Sequence, residues 1–433
     1  MPAAMSAATS VAKAPTREIP WKPFWVAMLV MSIVLFSGAW LFQPSTFGGV
    51  DTLQTDKVGG VPFQYLLWLM ILLGLCLHIG RVGFDFLARV LLPWVPFFLA
   101  GLAASIFGIS PFTSLRALVL WTFCIISAAI VVGELPVALS RKVLFRTTAT
   151  LMVLSVLVSV AVPAIGQHAN GGIWRGVFSN KNALGWIATL CMLVGAGMCT
   201  RQRWKFPAFV VALSILCILM SGSKGSLVAA LVTLGYLGLV SFLRSRVTVA
   251  LGVTTLLVSL LSILIFGFFV LPELLALLGK DPTFTGRTFV WSMYFNSMLN
   301  TPFLGEGPGA YTYLSELTLP LALRLSDLGA IVTPHNAFLG AFGDGGIVGL
   351  LTFAGVLIYL AMIAPFLRAD RATLVCAGVA FFNMAHGMVE THEVFATGFA
   401  WFLMVLLRGM ALREEQEQAG AKAAPNHVVN ALA

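Results

Sequence analysis

Runs of about 20 apolar residues recur along almost the whole chain, and this repetition constrains the fold more than any other feature. A run of that length crosses the roughly 30 Å hydrocarbon layer of a bilayer as an α-helix, whereas membrane β-strands are shorter and alternate apolar with polar residues. The chain is 59% hydrophobic and only 10% charged, while a soluble globular protein carries about 25% charged residues. We therefore predict an all-α integral membrane protein.

Twelve apolar runs predict about 12 transmembrane helices. They cover approximately residues 24–42, 61–79, 90–108, 115–134, 147–165, 183–199, 206–221, 225–243, 248–271, 345–367, 372–389 and 394–410. The first run is longer than the apolar core of a cleaved signal peptide, so we interpret it as a retained span.

The same runs divide the chain into five parts. An N-terminal tail (1–23) precedes spans one to nine (24–271), a long polar loop with amphipathic helices (272–344), spans ten to twelve (345–410), and a polar C-terminal tail (411–433). The composition of the C-terminal tail is typical of disorder. A bilayer protein needs no polar loop of that length merely to span a membrane, so the loop indicates that something is bound or made there.

The distribution of Lys and Arg predicts the orientation of the spans, because cytoplasmic loops are enriched in basic residues. With the N-terminus inside, 18 of the 26 Lys and Arg residues fall inside and 8 outside. Both termini are then cytoplasmic, and the loop at 272–344 faces outward. The net charge of +9 does not indicate nucleic-acid binding, because the basic residues are dispersed between spans; membrane lipids are the expected contacts.

Four outside basic residues lie at loop–membrane junctions among Gly, Ser and Asn: Arg175, Lys181, Lys224 and Arg287. Any single one is explained by contact with lipid headgroups. Several on one face favour an anionic ligand, since a phosphate needs converging donors and Arg offers a planar fork that matches its oxygens.

Two short segments carry three of these residues. In GIWRGVFSNKNALGW, which begins at Gly172, Ser179, Asn180 or Asn182 is a candidate cap for the incoming helix. Helix N-termini attract anions, and this one is flanked by basic side chains. In SGSKGS, residues 221–226, small residues allow a tight turn with a lysine at its tip, for which solvation alone is an equally good explanation.

The long loop supplies a candidate base. Pro334 disfavours helical backbone at Thr333, so a helix is predicted to begin near His335. A lone His is more often a structural hydrogen-bonding residue, but imidazole is also the readiest general base at neutral pH. Asn336 and Asp344 are candidates for orienting this base or its substrate.

Two further stretches carry weaker signals. A predicted amphipathic helix beginning at Arg287 would lie on the membrane surface with Phe289, Trp291, Met293, Phe295 and Met298 as its apolar residues. The run GEGPGAY, from Gly305 to Tyr311, follows no predicted strand, so we interpret it as a flexible turn and not as a dinucleotide-binding loop.

No metal site is predicted. The sequence HGMVETHE, which begins at His386, lacks the His-Glu-x-x-His zinc spacing and is interpreted as a polar turn outside span eleven. None of the six cysteines has zinc-like spacing.

Five segments, in order, resemble the O-antigen ligase and O-antigen polymerase superfamily of bacterial membrane glycosyltransferases. They are RGVFSNKNALG from Arg175, SGSKGSLVAAL from Ser221, TGRTFVW from Thr285, TPFLGEGPGAY from Thr301 and HNAFLGAFGDGGIVGLL from His335. The resemblance covers roughly residues 170–352, and the ordered set is more specific than any one segment.

The resemblance implies a GT-C-like fold in the bacterial inner membrane and an active site on its periplasmic side. It implies a donor glycan linked to undecaprenyl diphosphate, which ligases transfer to a sugar of lipid A–core and polymerases transfer to another lipid-linked repeat. A third branch glycosylates protein hydroxyls. The implied reaction is inverting and needs neither a metal nor another cofactor.

The resemblance also implies roles for individual residues. His335 is the expected base, and Arg175 and Arg287 are the expected clamp for the diphosphate, with Lys181 and Lys224 as lesser candidates. The residues expected to support the site or position the substrate are Asn180, Asn336, Asp344 and Tyr311.

The Arg-plus-His pattern and the layout of the spans favour the ligase branch. The chain after span twelve is too short for the extra outside domain seen in many protein-glycosylating relatives. A polymerase remains the alternative, since it shares all five segments. A twelve-span secondary transporter is the alternative of another class, but here nearly all charges lie at span ends and the two halves do not match. The oligomeric state does not follow from the sequence.

Overall fold

The computed structural model describes residues 20–39, 62–168, 172–265, 287–309, 335–390, 394–395 and 398–423. These residues are overwhelmingly helical, which confirms the predicted all-α class. Tyr311 lies outside the described residues, as do His392 and Glu393 in the polar turn after span eleven.

The helices of the first half are α1 (Lys22–Phe36), α2 (Pro62–Val82), α3 (Asp85–Leu91), α4 (Val95–Phe107), α5 (Pro111–Glu134), α6 (Val137–Ala161) and α7 (Pro163–Gly166). A 3₁₀ turn, Leu92–Trp94, joins α3 to α4. The helices of the second half are α8 (Lys181–Met198), α9 (Lys205–Met220), α10 (Lys224–Leu243), α11 (Val249–Ile265), α12 (Arg287–Met298), α13 (Ala337–Ile358), α14 (Arg371–Gly387) and α15 (Phe399–Ala423). After α13 the chain stays helical through a π-helical segment, Tyr359–Ile363, and this helix ends at Leu367.

Seven helical segments of the described chain are long and apolar enough to cross a membrane: Phe63–Val82, Asp85–Phe107, Pro111–Glu134, Val137–Ala161, Lys181–Met198, Lys224–Leu243 and Ala337–Leu367. The five other predicted runs fall on α1, α9, α11 and α14, which are shorter helices, and on α15, whose second half is charged. A multi-pass membrane protein is therefore the architecture that the helices support.

The centre of the bundle is built around α15. Its residues 399–407 are buried on every side, as is typical of a helix that is apolar all round. Phe97 of α4 stacks on Phe395, with ring centroids 4.2 Å apart, and Trp121 of α5 lies edge-on to Phe97. Large apolar side chains such as Phe112, 83% exposed, cover the outside of the bundle. An apolar outer surface of this kind is what lipid contact requires.

The C-terminal helix continues well beyond the predicted end of the last span. We expected disorder from residue 411, whereas α15 is helical to Ala423. Glu414 pairs with Arg141, and Glu415 Oε2 lies 2.8 Å from Arg368 Nη1. Strong helix-forming residues, together with these ion pairs to α6 and to the segment after Leu367, stabilise the extension.

A cluster of ionisable side chains, with His78 and Glu134 buried and Arg81 partly exposed, joins α2 to α5. The Nδ1 atom of His78 lies 2.9 Å from Glu134 Oε1, and Arg81 Nη1 lies 3.5 Å from Glu134 Oε2. A side chain at Gly133 would overlap the His78 ring, so the close approach of the two helices depends on that glycine.

Candidate active site

The candidate site lies where three helices begin and one ends. Asn182, in the first turn of α8, and His335, just before α13, both contact Glu390, which follows α14. At the other end of α8, the Cys199 carbonyl accepts a hydrogen bond from Arg371, the first residue of α14. The two helices are therefore antiparallel, and the junction around Glu390 lies at one end of the bundle.

His335 is paired with Glu390. The distance from His335 Nδ1 to Glu390 Oε2 is 2.9 Å, and the side chains are 30% and 14% exposed. The backbone of His335 has φ +44°, a left-handed conformation that is rare for residues with a side chain. Holding it costs about 1–2 kcal/mol, and strained residues of this kind cluster at functional sites.

Asn336 caps α13 and so fixes the backbone that follows His335. Its Oδ1 atom accepts from the backbone N–H groups of Phe338 and Leu339, at 2.9 and 3.1 Å, while its Nδ2 donates to the Met388 carbonyl at 3.2 Å. The helix thus begins within two residues of His335, as the sequence predicted, and it is tied to the turn that carries Glu390.

Glu390 is the residue that sequence reasoning missed. Its Oε1 accepts from Asn182 Nδ2 at 3.3 Å and its Oε2 faces His335, so one carboxylate joins two segments that are far apart in sequence. The available signal was topological: the acid sits at the outer end of span eleven, on the side assigned to His335. Local spacing gave no reason to pair residues 335 and 390.

A buried polar layer lies next to this pair. His386 Nε2 lies 3.0 Å from Ser226 Oγ, which in turn lies 2.9 Å from Ser223 Oγ, the cap of α10. The backbone N–H of Glu390 donates to the His386 carbonyl at 3.0 Å. Gly185 of α8 brings that helix against the two serines. This layer fixes the starts of α8 and α10 relative to Glu390.

Arg175 lies in the connection between α7 and α8. Its Nε donates to the Ile165 carbonyl at 2.8 Å, and its backbone N–H donates to the Gly166 carbonyl at 2.8 Å. Gly176, at φ +61°, permits the tight turn that follows, and the Trp174 N–H donates to the Met220 carbonyl at the end of α9. The connection is thereby pinned beside the turn that leads into α10.

Two lysines occupy the first positions of helices at the junction. Asn180, one of the three candidate caps, accepts from the Ala183 N–H at 2.8 Å and caps α8. Lys181 follows it, and its backbone N–H donates to His168 Nε2 at 3.1 Å. Lys224 opens α10 and is exposed.

The junction has a positive electrostatic character. The N-terminal ends of α8, α10 and α13 meet there. The first turns of these three helices lie in the described part of the chain and contain no acidic residue. Each helix N-terminus carries the equivalent of about half a positive charge. Together with the nearby basic side chains, this arrangement suits a ligand with more than one negative charge.

Arg287 is the first residue of α12, and its side chain is not among those described. The helix packs on α13 through Val290, Tyr294 and Met298, which form a buried apolar cluster with Phe342. The buried face of α12 is therefore the one at positions i, i+4 and i+8, while Phe295, one of the apolar residues expected to face the membrane, is 46% exposed and stacks on Phe342 with ring centroids 5.8 Å apart. Burial raises the pKa of the Tyr294 phenol to about 12.

Asp344 has surroundings different from those of His335. It is 1% exposed, and its Oδ2 accepts from the Gly309 N–H at 3.0 Å. It lies nine residues further along the chain, and the part of α13 from Ala337 to Asp344 alone is roughly 10 Å long. We expected Asp344 to orient the candidate base or its substrate; in the structure its carboxylate fastens a loop to α13.

That loop is the Gly-Glu-Gly-Pro-Gly run, expected to be a flexible turn. Its residues 305–309 are all buried. The Glu306 N–H donates to the Gly343 carbonyl at 2.9 Å, and the Gly307 N–H donates to the Asp344 carbonyl at 2.9 Å. Glycines permit this backbone-to-backbone contact, because any side chain at Gly305 would lie 2.6 Å from α13 atoms. The run is therefore a fixed packing element.

Within the described ranges, no group of three or more His, Cys, Asp or Glu side chains is placed to hold a metal ion. Besides the His335–Glu390 pair, the polar side chains of the junction include the imidazoles of His168 and His386 together with amides, hydroxyls and basic groups.

A comparison with known proteins relates part of the chain to a protein family. Comparison with curated proteins found no match. A family model described as O-antigen ligase matches residues 209–354, roughly a third of the chain. The match runs from α9 into α13 and includes Lys224, Arg287 and His335, while Arg175 and Glu390 lie outside it. Members of this family are glycosyltransferase-like enzymes of O-antigen assembly. Residues 209–354 thus match the O-antigen ligase family, and this match confirms the resemblance to the O-antigen ligase and polymerase superfamily.

Proposed function

We propose that this protein is an O-antigen ligase that transfers a glycan from undecaprenyl diphosphate to a sugar hydroxyl of lipid A–core. The observation that carries the proposal is the 2.9 Å pair of His335 and Glu390 at a junction otherwise rich in positive charge. A base beside an anion-binding surface is what the displacement of a diphosphate requires. The O-antigen ligase domain supports the same reaction class.

His335 acts as the general base. It takes the proton from the acceptor hydroxyl as that oxygen attacks the anomeric carbon of the donor glycan. The bond from this carbon to the diphosphate oxygen breaks, and the electron pair leaves with undecaprenyl diphosphate. One displacement inverts the anomeric configuration and needs no covalent intermediate.

The basic residues stabilise the leaving diphosphate in place of a metal. Arg175 and Arg287 form the clamp, and Lys181 and Lys224 add charge at two helix starts. Negative charge develops on the diphosphate as the glycosidic bond breaks, so preorganised donors at that position lower the barrier. Asn180 and Asn336 support the site by capping the helices that carry it.

The remaining residues have supporting roles. Asp344 keeps the buried glycine run against α13 and thereby sets the position of the helix that follows His335. Tyr311 continues that run and is proposed to contact the glycan.

The proposed setting is the bacterial inner membrane, with twelve spans in a GT-C-like arrangement and both termini cytoplasmic. The junction around Glu390 then faces the periplasm. The ion pairs of Arg141 and Arg368 with the end of α15 lie at the opposite end of the bundle, where the excess of basic residues favours the cytoplasm.

The direct test uses purified protein with undecaprenyl-diphosphate-linked glycan and lipid A–core. We expect His335→Ala to abolish transfer, while Arg116→Ala, a change at an exposed arginine on the predicted outer side, transfers glycan at the parental rate. Parental transfer by His335→Ala would remove the base from the proposal.

A deletion strain separates the ligase from the polymerase. Loss of a ligase leaves lipid-linked polymer that is not attached to lipopolysaccharide, and this is the expected result. Single repeats attached to lipid A–core would instead identify the protein as a polymerase.

A further inference from the structure

We propose that Glu390, held by Asn182, is a positioning residue that sets the tautomer of His335, with the proton on Nδ1 and the lone pair on Nε2. The inference rests on the proposed function, because it concerns how His335 works as its base. Neither Glu390 nor Asn182 was among the residues expected from the sequence to serve the reaction.

The first step is the pairing itself. Glu390 Oε2 lies 2.9 Å from His335 Nδ1. A carboxylate only accepts hydrogen bonds, so Nδ1 must be the donor. A neutral imidazole carries a single N–H, which leaves the lone pair on Nε2. The base that meets the acceptor hydroxyl is therefore Nε2, on the other side of the ring from Glu390.

The second step is the stabilisation of the product of proton transfer. When Nε2 has taken the hydroxyl proton, the ring becomes an imidazolium cation with a donor at each nitrogen. The Glu390 carboxylate already faces Nδ1, so the new positive charge forms next to a fixed negative one. A carboxylate in this place favours proton uptake without itself taking the proton.

The third step is what keeps the carboxylate in place. Asn182 Nδ2 donates to Glu390 Oε1 at 3.3 Å, and Asn182 is itself fixed in the first turn of α8. The Glu390 backbone N–H is bound to the His386 carbonyl. At Gly225, a Cβ would lie 4.0 Å from Glu390 Cγ, so α10 packs closely against the stem of the side chain. The carboxylate is thus held from α8, α10 and α14.

Asn182 makes the proposal testable with a nearly isosteric change. In Glu390→Gln the side chain has one carbonyl oxygen and one amide NH₂. The Asn182 donor selects the carbonyl, which turns the NH₂ toward His335 Nδ1. That nitrogen must then accept, so the ring proton moves to Nε2 and the base is lost. We expect kcat to fall by about 10³-fold or more, on the scale of the Asp→Asn change in serine protease triads, with KM nearly unchanged.

The decisive measurement is rescue by a second change. In Glu390→Gln with Asn182→Asp, the new carboxylate accepts from the Gln NH₂ and turns its carbonyl back toward His335 Nδ1. We expect kcat to recover at least about tenfold relative to Glu390→Gln alone, since part of the tautomer preference returns. Asn182→Asp alone places two carboxylates side by side and should not raise the parental rate. A merely structural role for Glu390 predicts no such recovery.

Two results overturn the inference: a parental kcat in Glu390→Gln, or a double variant no faster than Glu390→Gln. The His335→Ala variant, measured in parallel, separates this failure from failure of the proposed function. If His335→Ala transfers glycan normally, the base assignment itself fails. If His335→Ala is inactive and Glu390→Gln is not, only the positioning role fails.

Discussion

Ser226 Oγ lies 3.0 Å from His386 Nε2, and this buried contact joins the start of α10 to the end of α14. Both side chains are almost completely buried, with 0% and 1% of their surfaces exposed. The contact sits between the helix that carries Lys224 and the turn that carries Glu390, so it sets the spacing between two sides of the candidate site.

Ser226→Ala should therefore destabilise the protein. Truncation removes one partner of a buried hydrogen bond, which typically costs about 1–3 kcal/mol. Thermal unfolding in detergent measures the loss. Ser245→Ala, which removes an exposed hydroxyl, is the matched control and should melt with the parent protein. Equal melting of both variants would contradict the structural role of the contact.

Glu134→Ala should have a larger effect on stability. The change leaves His78 and the partly exposed Arg81 without the buried carboxylate that both contact. Breaking a buried charged pair by removing one partner costs about 3–5 kcal/mol. Glu417→Ala removes an exposed pair with Arg413, spaced i,i+4 on α15, and should cost no more than about 0.5 kcal/mol. Similar melting temperatures for the two variants would show that the buried cluster contributes little.

Gly346→Ala should disturb the packing of the glycine run, residues 305–309, against α13. Gly346 has φ +59° inside α13, and a Cβ at this position would overlap the backbone of Phe303. We expect a loss of stability and a fall in transfer activity, because α13 must move away from residues 303–309. Gly355→Ala, in the same helix with open space around its Cβ, should be stabilising by about 0.5–1 kcal/mol. A Gly346→Ala protein that melts with the parent would contradict the packing role.

Arg175→Lys tests whether the clamp needs the fork of a guanidinium or only a positive charge. Removing one preorganised donor to a developing negative charge typically costs about 10²–10³ in kcat, and a lysine cannot form the paired hydrogen bonds of an arginine. We expect kcat for glycan transfer to fall toward that range. Arg116→Lys, at the exposed arginine, should leave the rate unchanged, and a full rate in Arg175→Lys would reduce Arg175 to a source of charge.

Transfer should persist in excess chelator, because the proposed clamp consists of side chains of this chain. The measurement is the transfer rate of purified protein before and after treatment with EDTA. A loss of activity that magnesium or manganese restores would contradict a clamp made only of basic residues.

The sequence predicted the elements better than it predicted their partners. Each apolar run overlaps a helix, and Asn180 was among the three candidate caps of α8, because capping and hydrophobic length are local properties. His335 was chosen as the candidate base from residue chemistry at a junction between loop and helix. Its pairing with Glu390 is a contact between residues that are 55 positions apart in the sequence, and no local pattern predicts such a contact.

Two further differences have local causes that a single-sequence pattern does not reveal. The glycine run at 305–309 has the composition of a flexible turn, but glycines also allow two backbones to touch, and here the loop is buried against α13. The charged end of α15 has a disorder-like composition, but its glutamates pair with Arg141 of α6 and with Arg368. In each case tertiary contact decides between two structures that the composition permits.

The pairing of His335 with Glu390 also has a consequence for biosynthesis. The chain enters the membrane from its N-terminus, and His335 cannot meet Glu390 until residue 390 has left the ribosome. Arg175 and Lys181 are inserted more than two hundred residues before Glu390. On the proposed mechanism, a nascent or truncated chain that ends before α14 would lack the His335–Glu390 pair and would transfer no glycan. The proposed site would be complete only after every helix except α15 has been inserted.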